Sequence, residues 1–194
     1  MTTYLVISGG GAHGAFAVGV IQALHAGGVR FDGVVGTSTG ALIAPLVATD
    51  EVGLLEELYT TVQTSDILQW WPWNLWTQHA WYSTAPLRRL IRRHITAERY
   101  QRMLASSVEV WLATVALQTG IVTYWNPQTS GPHGGPISHD AFMAAMLASA
   151  SQPVLMPVVA MSDGRQYVDG GVREIAPLKQ AIEQGAEEIY AIVL

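Results

Sequence analysis

Ser38 stands between Gly36 and Gly40, with Val34-Val35 before and Ala41-Leu42-Ile43-Ala44 after. The residue pattern changes from strand type to helix type at the serine itself. That change predicts a sharp strand-to-helix turn that thrusts the hydroxyl outward as a nucleophile, with glycines on both sides so that strand and helix approach without collision. The ordinary reading of the same pentapeptide is a glycine-bounded turn with an idle serine.

A second chemical candidate lies near the N-terminus, in Ser8-Gly9-Gly10-Gly11-Ala12-His13-Gly14. Glycine-rich backbone at the start of a helix presents bare N–H groups to an anion, and the helix dipole adds to the attraction. One reading is an oxyanion hole, with Gly10 and Gly11 holding the charge that develops when a serine attacks an ester, inside a loop of Gly9, Gly10, Gly11, Ala12 and Gly14. The other is a dinucleotide fingerprint, since Gly9, Gly11 and Gly14 satisfy G-x-G-x-x-G. That fingerprint needs an acidic residue after the second strand. Asp32 precedes Val34-Val35 instead, so the cofactor reading lacks its second element.

A serine nucleophile requires a base. In the Ser, Asp or Glu, His order of α/β-hydrolases the histidine comes last. All of the histidines here (His13, His25, His79, His94, His133, His139) precede position 140, so a late aspartate cannot serve such a triad. A triad in that order would have to draw on an earlier carboxylate, such as Asp66 with His133 or His139, and nothing around those histidines reads as a catalytic loop. Asp169 is the stronger candidate. It ends the apolar stretch Tyr167-Val168 and is followed by Gly170-Gly171, at the kind of strand end where α/β sheets keep their sites. Set beside the Ser38 hydroxyl it could take the proton directly, and burial would raise its pKa and improve it as a base. Its ordinary reading is a turn aspartate that binds local amides.

Taken together and in order, Gly9-Gly10-Gly11-x-x-Gly14, Gly36-x-Ser38-x-Gly40, Ala148-Ser149-Ala150-Ser151-Gln152-Pro153 and Asp169-Gly170-Gly171 resemble the motifs of the patatin-like phospholipases. The resemblance implies a Ser38–Asp169 dyad, an oxyanion hole in the glycine loop, and hydrolysis of lipid acyl esters without metal or other cofactor. The chain departs from the family pattern at three places. His13 replaces the usual Arg or Lys, Glu174-Ile175 replaces the asparagines that often follow D-G-G, and Ser151 replaces an alanine. A catalytically silent lipid-binding or regulatory module and a dinucleotide-binding oxidoreductase stand as alternatives.

The elements that must position these groups alternate along the chain. Strands are expected at Tyr4 to Ser8, Gly33 to Thr37, Val108 to Leu117, Ile121 to Trp125 and Ile189 to Leu194, with a hairpin of Val158 to Met161 and Gln166 to Val168 about Asp163-Gly164. Helices are expected at Gly14 to Ala26, after Ser38 to Ala48, at Glu51 to Val62, Pro86 to Ile95 and Ser138 to Ala150, and between Pro177 and Gly185. This order predicts one three-layer α/β/α domain over residues 1–194 with a mainly parallel sheet. The chain stops on its last apolar strand, which fits a domain that continues beyond Leu194. With 49% hydrophobic and 13% charged residues the 194-residue chain can bury one sizeable core. The absence of cysteine excludes disulfides and thiolate metal sites and fits a cytoplasmic setting. The opening residues Tyr4-Leu5-Val6-Ile7 read as a core strand, so a signal peptide is not expected from them, and the run Ala41 to Ala48 is too short to span a bilayer.

Two surface features point toward lipid. Trp70, Trp71, Trp73, Trp76 and Trp81, five of the seven tryptophans, crowd one proline-containing segment beside Tyr82. They read either as a satellite core or as part of a mobile cover, formed by residues 66 to 83, that contacts acyl chains. Six of the ten Lys and Arg residues fall between Arg88 and Arg102 in a chain of net charge −5. That overall charge disfavours nucleic acid as a partner. The arginine rows read as a solvated helix face or as a peripheral docking patch for anionic head groups.

Overall fold

The first apolar run becomes strand β1, Thr3–Ile7, buried along its whole length. In this computed structural model, which describes residues 1–131 and 134–194, a short 3-10 turn at Gly11–His13 leads into helix α1 (Gly14–Ala26). Then come β2 (Gly33–Thr37), α2 (Thr39–Ala48), α3 (Val52–Thr61), α4 (Thr64–Ile67), β3 (Gln69–Trp70), α5 (Asn74–Gln78), β4 (Tyr82–Ser83), α6 (Ala85–His94) and α7 (Ala97–Ala105). The chain continues through β5 (Glu109–Ala116), β6 (Ile121–Trp125), α8 (His139–Ser149), β7 (Val159–Ala160), β8 (Gln166–Asp169), α9 (Leu178–Glu183) and β9 (Glu188–Ile192). His133, one of the histidines weighed above, lies outside the described residues.

The strands β9, β1, β2 and β5 lie side by side and parallel. Side chains alternate across them, as the strand period of two demands. Leu5, Ile7 and Val34 join the larger core beneath α1, α2 and α8. Tyr4, Val6 and Val35 turn to the opposite face and meet Ala181 of α9. Burying each such aliphatic side chain is worth about 1.5–3 kcal/mol, so a sheet covered on both faces follows from its near-continuous apolar strands. This is the α/β/α arrangement expected from the element order.

Beyond β5 the sheet turns antiparallel. The tight turn at Gly120, with φ 66°, returns the chain as β6 along one edge of β5, and the turn at Gly164, with φ 78°, joins β7 to β8. The register of β8 matters most for the site. Thr37, the last residue of β2, pairs with Ala113 of β5, and Asp169, the last residue of β8, pairs with the next residue, Thr114. Because β6 occupies the other edge of β5 over the same residues, β2 and β8 share one edge and meet end to end. Two strand ends far apart in sequence are thereby brought about one residue rise, ~3.3 Å, apart along β5.

Candidate active site

Ser38 follows directly on β2 and heads α2. Its backbone sits at φ 55° and ψ −119°, in the left-handed half of φ space. A non-glycine residue there costs roughly 1–3 kcal/mol and persists only where the surroundings enforce it. Two observations show what enforces it. A Cβ on Gly36 would lie 2.3 Å from the carbonyl of Gly40, and a Cβ on Gly40 would lie 2.3 Å from the carbonyl oxygen of Ile7. The turn therefore closes only with glycine on both sides. From the other side, the Ser38 N–H donates to Ser149 Oγ at 3.0 Å, and the Ser149 hydroxyl donates in turn to the carbonyl of Ala113 at 2.6 Å. Ser149 is fully buried at the end of α8, so it ties the elbow to the middle of β5.

The Ser38 side chain makes no capping bond to the helix it heads, although it occupies the N-cap position. Its hydroxyl is thus not engaged by the α2 amides, and the residue is part-exposed.

Asp169 is 7% exposed. Burial raises its carboxyl above the ordinary value of 3.8, while hydrogen bonding with the Ser38 side chain and the Gly171 N–H pulls in the opposite direction. The first effect wins, as desolvation disfavours the charged form. The Gly171 N–H donates to Asp169 Oδ1 at 2.7 Å, and the Asp169 N–H donates to the Ser151 carbonyl at 2.9 Å. Gly170 is required for a different reason: a Cβ there would lie 2.5 Å from the Ala113 carbonyl oxygen. The serine that replaces the family alanine at 151 turns its hydroxyl onto the Leu147 carbonyl at 2.7 Å. It serves the end of α8, and its backbone serves Asp169.

The glycine loop comes down beside the elbow, and a Cβ on Gly9 would lie 3.2 Å from Ser38 Cβ. Its members divide by the direction of their amides. The Gly9 N–H donates to the Ile175 carbonyl at 2.9 Å, and the Gly14 N–H turns back to the Gly11 and Ala12 carbonyls. These two glycines therefore contribute close packing. A Cβ on Gly14, for example, would meet Thr39 Oγ1 and Tyr59 at 2.6 Å. Gly10, Gly11 and Ala12 lead into the 3-10 turn, where the first N–H groups have no intrahelical acceptor.

Several supporting residues escaped the sequence reading. Ser149 sat inside a recognised motif without a role. The Thr37 hydroxyl donates to the Glu174 carbonyl at 3.1 Å, and Tyr124 donates to Glu174 Oε2 at 2.7 Å. The pair Glu174-Ile175 thus clips the Asp169 loop to β2 and to the glycine loop chiefly through main-chain carbonyls. Thr39 and Tyr59 hydrogen-bond at 2.5 Å behind the elbow. His13 is exposed.

The tryptophans do not form a satellite core. Trp70, Trp71, Trp73 and Trp76 are all exposed, at 57, 45, 71 and 82%. The arginines between 88 and 102 also divide. Arg99 and Arg102 close on Glu51, whose carboxyl would be raised by burial but is carried down to about 2 by hydrogen bonds from Arg99, Thr49 and Arg102. Among the described residues, Arg88, Arg89, Arg92 and Arg93 enter no ion pair.

The family model of the patatin-like phospholipases matches residues 5–182. The chain belongs to the patatin-like phospholipase family. A patatin-like phospholipase domain-containing protein of Aspergillus niger is 29% identical, over 91% of this chain and 26% of that protein. Lysophospholipase NTE1 of Cryptococcus neoformans is 25% identical, over 97% of this chain and 11% of that protein. The solved structure of VipD from Legionella pneumophila shares the fold, with a TM-score of 0.63 at 13% identity over 98% of this chain and 49% of that one. The chain spans about a quarter of the length of the Aspergillus relative. The patatin-like domain here is the α/β/α unit described above, and no helix among its described residues is long and apolar enough to cross a membrane.

Proposed function

We propose that the protein is a serine lipid acyl hydrolase in which Ser38 and Asp169 form the catalytic pair. The observation that carries this reading is the meeting of β2 and β8 on one edge of β5, which sets a strained serine against a buried carboxylate. Ser38 Oγ attacks the ester carbonyl carbon while Asp169 takes its proton. The Gly10 and Gly11 N–H groups hold the negative charge on the former carbonyl oxygen, the role of a preorganised oxyanion hole. Collapse of the tetrahedral adduct breaks the ester C–O bond, and the departing alkoxide takes the proton from Asp169. Water then attacks the acyl-serine, gives its proton to Asp169, and releases the carboxylic acid as Ser38 regains a proton.

The raised carboxyl suits this cycle, because a base closer to neutrality has a larger driving force for proton transfer. The α2 N-terminus lies behind Ser38 and favours negative charge there. Support for a lipid ester as substrate comes from the family and from the lysophospholipase among the relatives. The dinucleotide alternative has no comparable support, since Ser38 follows β2 where that site needs a carboxylate. The test is hydrolysis of a p-nitrophenyl ester, with fatty acid release from membrane lipids followed by mass spectrometry. Ser38→Ala and Asp169→Asn should each lose about 10⁴-fold in rate, the scale seen when a member of a serine catalytic set is removed. Activity retained by Ser38→Ala refutes the reading.

A further inference from the structure

The tryptophan segment is built as an outward-facing two-stranded ribbon. Strands β3 and β4 pair antiparallel, Trp70 stacks on Trp81 with ring centres 5.6 Å apart and planes 6° from parallel, and Tyr82 closes edge-on against Trp70 at 5.3 Å. The ribbon is fastened to the body through its backbone. Trp81 and Tyr82 N–H groups donate to the carbonyls of Val154 and Leu155 at 3.1 and 2.9 Å. Val154 and Leu155 are themselves 63% and 40% exposed, so apolar surface runs on from the indoles onto this segment. Large exposed apolar patches of this kind mark interaction sites.

Charge adjoins it. The same segment, at Pro157, Val158 and Val159, shares a groove with Gln78 of α5 and with Arg88 and Arg89 of α6. Both arginines are exposed and neither enters an ion pair among the described residues, in a chain of net charge −5. Indole rings prefer the head-group level of a bilayer, where an apolar body and a polar N–H are both satisfied. Guanidinium groups match phosphate oxygens in a fork geometry. One surface that offers both fits one kind of partner.

We propose that the ribbon at 69–83, the Val154–Val159 segment and Arg88 with Arg89 form a docking surface for an anionic phospholipid bilayer. The indoles lie at the head-group level and the two guanidinium groups rest on phosphates. The bilayer is favoured over a protein partner because the arginines, in no ion pair among the described residues, line a groove with the segment that fastens the ribbon, while the chain as a whole is net acidic. The surface also lies close to the site along the chain, since Ser151, three residues before Val154, accepts the Asp169 N–H. Docking is a separate claim from hydrolysis and stands or falls without it.

The experiment uses the full chain carrying Ser38→Ala, so that lipid is not consumed, with vesicles of phosphatidylcholine and vesicles that also contain phosphatidylserine. Co-sedimentation should show about tenfold or stronger preference for the anionic vesicles, falling steeply with added salt, with a blue shift of tryptophan emission on binding. Arg88→Gln with Arg89→Gln should weaken that binding roughly 25-fold, about fivefold for each surface arginine. Trp73→Ser with Trp76→Ser should reduce the blue shift. Equal affinity for both vesicles, no binding to either, or insensitivity to the arginine pair overturns the proposal. So does a dimer in solution that the tryptophan variants convert to monomer, because the surface would then belong to a second copy. The lipid comparison and the salt series need no variant of the surface, so they can overturn the proposal even where a substituted chain fails to fold.

Discussion

Around Ser38 and Asp169 the polar atoms are inside and the side chains are small, whereas on the β3–β4 ribbon the large apolar rings are outside. In the first region each position is fixed by more than one contact. Ser38 is held by glycines on either side and by Ser149, and Asp169 by Gly171 and by the Ser151 carbonyl. In the second, stacking and a two-residue ladder hold the rings, with backbone bonds to residues 154 and 155. The contrast teaches that this fold uses its buried hydrogen bonds for geometry and its exposed indoles for contact. Substitutions in the two regions should therefore fail in different ways.

The largest separation is expected at Ser149. Ser149→Ala removes the acceptor of the Ser38 N–H and a donor to the Ala113 carbonyl, at a side chain that is itself fully buried. An unsatisfied buried group costs about 1–3 kcal/mol. Denaturant unfolding should show a loss in that range, and ester hydrolysis should fall with it because the elbow loosens. Retained stability together with retained rate would show that the elbow holds itself.

A smaller and opposite effect is expected at Asp169. Its carboxyl is raised by burial, so between the unfolded and folded pKa values the folded state binds more protons than the unfolded one. Stability then falls as pH rises through that window. Asp169→Asn removes this cost, and the variant should be more stable than the parent at neutral pH, with the difference shrinking toward zero as pH falls below 3.8. Thermal unfolding across acidic to neutral pH measures it. The same raised carboxyl shifts the acidic limb of kcat/KM upward from 3.8, since only the ionised form accepts a proton. A Trp76→Ala variant should lie at the small end. With the ring 82% exposed, its removal should change unfolding stability by less than about 0.5 kcal/mol, and a larger loss would give the ribbon a structural role.

Much of this was readable in the sequence where the controlling forces are local. The Ser38 turn, the end of α1 at Ala26 and the Ser138 cap of α8 follow from glycines, periodicity and a capping hydroxyl, each acting within a few residues. The order of the histidines leaves Asp169 as the stronger base candidate, and its pairing with Ser38 is what the family resemblance implies. The reason they meet, the register of β8 against Thr114, is set by packing between distant strands and leaves no local signature. The same holds for Ser149, whose importance comes from two backbone groups on other elements. Composition could not divide the arginines either. Arg99 and Arg102 are drawn to Glu51 by the tertiary fold, while Arg88 and Arg89 are left facing outward.

The central claim is that Ser38 is a nucleophile activated by Asp169, and a fluorophosphonate probe tests it most directly. The account predicts a single phosphonylated residue, located at Ser38 by peptide mass spectrometry. Ser38→Ala should not label, and Asp169→Asn should label at least about 10³-fold more slowly. Labelling of another serine in the parent chain, or an Asp169→Asn variant that labels as fast as the parent, would contradict it.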